Sequence, residues 1–371
     1  MSTTERSWEW IRSQLSTTGL VRSFDVPAGD PLSGRTYAYD QALALLTALS
    51  LGDAATAQIL VTGLLRLQTA GGPHDGAFIA SAAALNPAAG LPEYRTGIHS
   101  IAAYAVLRYI ATVPQNDAAR PPVVDAAERA VRWLLAQQVR SGTMTGLVSG
   151  GYGAYLPDGS FDPTVAITWA STEHNLDAWH TLSLARSVVD DAAVATAASL
   201  LGTSVVTRLW DAKDRHFLQG WTLDGPDHDE ALDVNSWGAI FLHAVGESGK
   251  AQAALKHVAR FSSVAPPVIG YGPQAPSTEP LVWFEGSAGV ALAQCRLHQT
   301  AAARRTLSAL DAARLRSGAW PAATRADSAW GMTAAPAVAA TAWMLLAAQA
   351  LAGVPAIWDE RPMKEPLRDE L

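Results

Sequence analysis

The links between the helical segments of this chain alternate in length, and that alternation constrains the fold more than any other feature. Helical periodicity of apolar residues marks about twelve segments, near residues 3–15, 38–51, 53–69, 95–112, 121–138, 172–188, 191–209, 232–246, 249–261, 284–297, 299–315 and 336–352. Most are rich in Ala and Leu, which are strong helix formers. One set of links is short: Gly52-Asp53, Asp190-Asp191, Glu247-Ser248 and the few residues near His298. The other set is long and rich in Gly, Pro and aromatic residues: 16–37, 70–94, 139–171, 210–231, 262–283 and 316–335. A short link makes antiparallel neighbours of two helices, whereas loops that long in a compact domain usually carry function. The pattern predicts six helical hairpins closed into a ring, with every long loop at one end. Strand signals are thin; Arg215–Leu223 (RHFLQGWTL) is the one candidate for a small hairpin.

Composition limits the alternatives. The 371 residues are 49% hydrophobic and 16% charged, which is globular and large enough to bury a sizeable core. No low-complexity linker divides the chain, so residues 1–357 read as one domain. The charged tail 358–371 (WDERPMKEPLRDEL) contains two prolines and is expected to be mobile. A net charge of −7 without a basic stripe argues against a nucleic-acid partner. The absence of a run of about 18 uncharged apolar residues argues against a membrane span. Met1-Ser2-Thr3-Thr4-Glu5-Arg6 lacks the pattern of a secretory signal, so a cytoplasmic location is expected. The single cysteine, Cys295, excludes an internal disulfide and a thiolate zinc cluster, and its Ala/Leu helix suggests a packing role. Several of the 13 tryptophans stand beside Gly, Asn, Asp or Glu, a pattern suited to a cleft that stacks on a ligand.

Helices entered from long loops should form the inner ring. Their starts read Tyr39-Asp40-Gln41, Arg95-Thr96-Gly97, Ser171-Thr172-Glu173-His174-Asn175-Leu176-Asp177, Leu232-Asp233-Val234-Asn235-Ser236-Trp237-Gly238, Trp283-Phe284-Glu285-Gly286 and Ala335-Pro336. Five of the six begin polar and then turn apolar (ALALLTAL, SIAAYAVL, TLSLA, AIFLHAV, VALA). Such a ring is greasy along its length and polar at one mouth.

Hairpin count, loop alternation and the phrases YDQALALL, STEHNLDAW, LDVNSWG, WFEGSAGVALA and AATAWMLLAA resemble those of the six-hairpin glycosidases, the (α/α)6 toroids. The resemblance covers nearly the whole chain as architecture. It implies an all-α fold, an (α/α)6 barrel, and sugar chemistry on a small molecule or short saccharide. The same toroid also hosts sugar epimerases, polysaccharide lyases and isoprenoid cyclases, so it leaves the reaction open.

Glycoside cleavage needs one carboxylic acid to protonate the leaving oxygen and one carboxylate as base or nucleophile. The mouth offers Asp40, Glu173, Asp233 and Glu285 for these roles, with Glu173 the preferred acid and inversion the default. Helix order places Asp40 opposite Asp233 and Glu285 opposite Arg95. Acids at helix starts also serve as caps, with Ser171 or Thr172 a further cap candidate. A helix end would keep Glu173 ionised, while burial would raise its pKa. Tyr39, Arg95, His174, Asn175, Asp177, Trp179, Trp237 and Trp283 are the candidate substrate contacts. Arg95 can clamp an oxyanion or pair with a neighbouring carboxylate.

The alternative is an isomerase or cyclase in a closed pocket, an epimerase drawing an acid and a base from His99, His174, His180 and His243. His99 and His243 fall inside apolar segments, where satisfied core histidines are commoner. A non-catalytic sugar-binding ring is the third reading. His174 and His180 are not spaced to ligate together, so no cofactor and no tightly bound metal are expected; 227–230 (DHDE) offers at most a weak cation site. Gly150–Gly153 lacks the Lys of a phosphate loop, and Asp190-Asp191 lies in a short turn away from the mouth. Asp233-Val234-Asn235 matches only half of the acidic motif of protonating cyclases.

Overall fold

The computed structural model describes residues 2–114, 117, 120–275 and 279–359. Twelve α-helices make up its frame. Six form the inner ring: α2 (Ala38–Leu51), α4 (Thr96–Thr112), α6 (Thr172–Ala185), α8 (Leu232–Ala244), α10 (Phe284–Arg296) and α12 (Val338–Leu351). Each packs on the next, and α12 packs on α2, so the ring is closed. The outer helices are α1 (Thr3–Ser13), α3 (Ala54–Leu65), α5 (Arg120–Ala136), α7 (Ala192–Ser204), α9 (Ser248–His257) and α11 (Thr300–Leu310). Five hairpins are continuous in sequence, from α2/α3 to α10/α11. The sixth joins the chain's two ends, with α1 laid against α12.

This division explains the composition of the helices. An inner helix is covered by neighbours, an outer helix and the packed axis, so it is apolar on nearly every face. In α10, for example, every residue from Gly286 to Gln294 is buried. Most of the buried apolar side chains form one contiguous core. The stretch Ala192–Leu209, where α7 continues into a π-helical turn, is apolar and long enough for a membrane span by composition; half of it is buried in the ring, packed on α6. It contains Arg208, which donates to the carbonyls of Thr143 and Thr145.

A six-fold hydrogen-bond device ties the inner helices together around the mouth. The fourth residues of the inner helices are Gln41, His99, Asn175, Asn235, Ser287 and Thr341. Each accepts a backbone N–H from the loop leading into its helix, from Val21, Phe78, Val148, Phe217, Tyr271 and Trp320 respectively, at 2.8–3.2 Å. Two residues further along each loop a carbonyl accepts the first N–H of the preceding inner helix. These pairs are Ala38 to Ala80, Thr96 to Gly150, Thr172 to Gln219, Leu232 to Pro273, Phe284 to Ala322 and Val338 to Ser23. Every loop thus staples two adjacent inner helices, and the Ser23 staple joins last to first. Helix N-termini leave unpaired N–H groups that need partners, and here the loops satisfy one on each inner helix. In none of the six does the N-cap residue's own side chain make a capping bond, so Ser171 and Thr172 are not caps; Thr172 instead donates to the Leu218 carbonyl.

The long loops also carry more strand than the sequence suggested. Arg35–Tyr37 pairs with Ser81–Ala83, and Gly151–Tyr155 pairs with both Tyr94–Arg95 and Phe161–Ile167. The expected hairpin at 215–223 is instead divided between two partners: His216–Phe217 pairs back to Trp210–Asp211, and Gly220–Thr222 lies between Ala170–Ser171 and Gly225–Asp227. Rungs this short are stabilised by the loops around them rather than by alternation, which is why no periodic signal marks them.

The tail begins later than its charge pattern implies. Ala356, Ile357 and Trp358 are buried, and the Trp358 N–H donates to the Tyr104 hydroxyl at 2.9 Å. Trp358 packs on His180, Trp237 and Trp343 and fills the ring from the side away from the mouth. Asp359 pairs with Arg108 at 2.9 Å. The rest of the predicted tail, 360–371, lies outside the described residues.

Candidate active site

In ring order the second residues of the inner helices are Tyr39, Gly97, Glu173, Asp233, Glu285 and Ala339. Three acids therefore occupy consecutive helices, α6, α8 and α10, and the tyrosine stands beyond the small Ala339. The Tyr39 hydroxyl donates to Glu285 Oε1 at 2.5 Å and itself accepts from Trp343 Nε1 at 2.9 Å. One turn below Glu173 is Asp177, only 1% exposed, whose Oδ1 has no hydrogen-bond partner among the described residues.

These carboxyls act on one another. Burial is the largest influence on each and favours the neutral form; at Glu173, Asp177 and Glu285 like-charge repulsion adds to it. Glu173 is raised well above the usual range by burial and then by Asp233 and Glu285. Asp177 is raised in the same way, with Glu173 its strongest neighbour. Burial lifts Glu285 to about 8, opposed by the Tyr39 hydrogen bond. Asp233 rises only to about 6, because the Val234 N–H donates to its Oδ1 at 2.8 Å. Glu173, Asp233 and Glu285 keep some solvent exposure, so they are enclosed without being sealed. The competition between helix end and burial at Glu173 is thus decided by burial.

A cavity of about 430 Å³ opens on Glu173 and Glu285, walled also by Tyr39, Trp283, Trp330 and Met332 among others; Asp233 and Asp177 stand behind its lining. None of its lining residues is basic. Trp330 and Met332 come from the loop before α12, and Phe24 and Tyr37 from the loop before α2. No periodicity marks such loop residues, and only the aromatic content of the loops hinted at them.

Several expected contacts lie elsewhere. Asn175 is spent on stapling: its amide bonds the N–H and carbonyl of Val148 and the carbonyl of Ser171. Arg95 is not a free clamp and does not face Glu285; it pairs with Glu93 at 2.8 Å and donates to the carbonyls of Tyr152 and Gly153. Asp40, expected opposite Asp233, does line the cavity, but its Oδ1 accepts the Ala339 N–H at 2.9 Å and so caps α12 from α2. Burial still raises it to about 7. Trp179 and Trp237 are core residues, the first against Phe241 and the second stacked on Trp343 at 5.3 Å, with Gly289 leaving room for its indole. His174 packs on Gly97, where any Cβ would collide with its ring, and on Trp169; burial and Arg95 hold it neutral, with a pKa near 4. Of the proposed stacking tryptophans, Trp283 is the one that reaches the cavity.

Solved structures share this architecture. A wild-type glycosidase superposes with a TM-score of 0.69 at 16% identity, covering 95% of this chain and 97% of that one. A D-mannose isomerase gives 0.67 at 12% identity, with 95% and 96% covered. A GH76 α-mannanase of Bacteroides thetaiotaomicron gives 0.64 at 11%, with 95% of each chain covered. No family model and no curated protein matches the sequence. The fold is therefore the helical toroid that the sequence resembled, and these identities carry the fold alone.

Proposed function

We propose that the protein is a glycoside hydrolase acting on a short, uncharged saccharide or glycoside. The observation that carries this reading is an arc of buried carboxyls, of which Glu173 and Glu285 line an aromatic-walled cavity and Asp233 stands on the helix between theirs. Such a cluster cannot be fully ionised at neutral pH, so it holds both a proton donor and a carboxylate. Asp233, with the lowest of the raised values, is the member that ionises first and serves as base. Glu173, which lines the cavity and keeps its proton, serves as acid. Glu173 protonates the glycosidic oxygen as its bond to the anomeric carbon breaks; Asp233 takes a proton from the water that attacks that carbon. Glu285, held by Tyr39, donates a hydrogen bond to a sugar hydroxyl. Trp283 and Trp330 offer apolar faces for the ring.

The glycosidase and mannanase of like fold support the class. The isomerase of like fold represents the competing reading. A histidine acid/base pair at the mouth would favour it, but His99 spends both ring nitrogens on Phe78 and Ala130, and His180 stacks on Trp358. The open, acid-lined cavity also disfavours cyclisation in a sealed apolar pouch.

The test is a panel of α- and β-aryl glycosides and short oligosaccharides, with the anomer of the first product followed by NMR. Hydrolysis with inversion is expected. Glu173→Gln and Asp233→Asn should each lower kcat/KM by about 10²–10⁴-fold with the fold retained. Binding without turnover across the panel, or full activity in both variants, would overturn the assignment.

A further inference from the structure

On the loop leading into α8, away from the carboxyl arc, three side chains from separate elements meet around one point. We propose that His216, Glu230 and His257 form a binding site for a divalent transition metal of the zinc class. His216 lies in a short strand, Glu230 three residues before Asp233, and His257 at the last position of outer helix α9. One ligand atom from each lies within 4.8 Å of the others.

The chemistry of each group suits a ligand. His216 is 6% exposed, and its Nδ1 lies 2.8 Å from the Phe217 carbonyl oxygen. That contact places the proton on Nδ1 and leaves Nε2 with its lone pair, the arrangement that orients metal-bound histidines. His257 has a side chain only 9% exposed, and its Nε2 has no hydrogen-bond partner among the described residues. It stands 3.7 Å from Glu230 Oε2. That distance exceeds hydrogen-bond reach but is close to the ~3.4 Å edge between two ligands on a tetrahedral ion with bonds of ~2.0–2.1 Å. The carboxyl end of α9 adds the negative pole of a helix.

The surroundings set the terms of binding. Arg260 donates to Glu230 Oε2 at 3.2 Å and must yield that oxygen or leave the other to the ion. Asp211 and Asp214 also approach His216, although Asp211 Oδ1 already accepts the N–H groups of Lys213 and Asp214. The two imidazoles are stacked, centroids 4.3 Å apart with planes at 16°, so joint ligation turns one ring out of the stack. A surface cavity beside His257, bordered by Asp214, Arg215, Lys256 and Arg260, gives it room. A bound ion would tie the loop before Asp233 to the outer wall. The sequence pointed only to the 227–230 run that holds Glu230; the two histidines come from other elements that the fold brings to it.

The test titrates the full chain, first treated with chelator, with Zn(II) by calorimetry and with Co(II) by visible absorption. One equivalent should bind, Co(II) should develop a d–d band, and Zn(II) should raise Tm. His216→Gln and His257→Gln should each weaken binding at least ten-fold, with folding checked by circular dichroism. Glu285→Gln at the mouth should bind as the parent does. Failure to bind either ion, or binding that survives both histidine variants, would overturn the site; loss of binding in Glu285→Gln would relocate it to the carboxyl arc and equally refute it.

Discussion

Tyr39 on α2 and Glu285 on α10 are joined by a 2.5 Å hydrogen bond, although α12 lies between their helices in the ring. The phenol is held from below by Trp343 Nε1 at 2.9 Å, so one indole, one phenol and one carboxyl form a fixed chain across the mouth. Ala339, at the matching position of α12, is small enough to leave the span open.

Tyr39→Phe removes the bond that opposes the upward shift of Glu285, so its pKa should rise further above about 8. Carboxyl ¹³C NMR titration measures this directly. Turnover should fall by roughly ten-fold or more, since a lost hydrogen bond to a positioned group costs about 1–2 kcal/mol.

The pH profile of kcat/KM follows from the assignment of the base. Activity should rise as Asp233 ionises near pH 6 and fall as Glu285, the hydrogen-bond donor to the sugar, loses its proton near pH 8. An acidic limb near pH 4, where an ordinary carboxylate titrates, would contradict Asp233 as base.

Stability should carry the same signature with a definite sign. Glu285 retains its proton in the folded state up to about pH 8, while in the unfolded chain it ionises near 4.5. Between those values the unfolded state binds fewer protons, so stability declines as pH rises through that window. Glu285→Gln should flatten the decline and raise stability at pH 8 by up to about 4 kcal/mol, with little effect at pH 4. Urea melts at the two pH values measure the difference.

The staples predict a different class of effect. Asn175→Ala leaves the Val148 N–H and carbonyl buried without their partner, and should cost about 2–4 kcal/mol in chemical denaturation. If Asn175 instead touched substrate, the variant would raise KM and leave stability unchanged.

Trp358 tests where the fold ends. Trp358→Ala opens a hole beside Trp237 and Trp343 and should destabilise by about 3–5 kcal/mol. An unaltered melt for Trp358→Ala would mean that the segment is peripheral after all.

Much of the architecture was legible because helix periodicity and loop length are local properties. The inner helices, the polar mouth and the acids Glu173, Asp233 and Glu285 could be read from runs of Ala and Leu entered through polar turns. Which polar residues face the axis could not. Asn175 and Glu173 are two residues apart, and that offset separates a loop staple from a cavity acid. Trp237 and Trp283 each have a polar residue two positions away in sequence, Asn235 and Glu285, yet one is packed under the site and the other lines it.

The sequence by itself determined the ring: its hairpins, its mouth and the helix starts that carry its acids, because each follows from patterns within a few turns of chain. Only the tertiary structure decided what those acids are. Closing α12 onto α2 brings residues hundreds of positions apart into one poorly solvated cluster, and it is burial among like charges that shifts their protons. Desolvation depends on everything that surrounds a group, and no local stretch of sequence contains that.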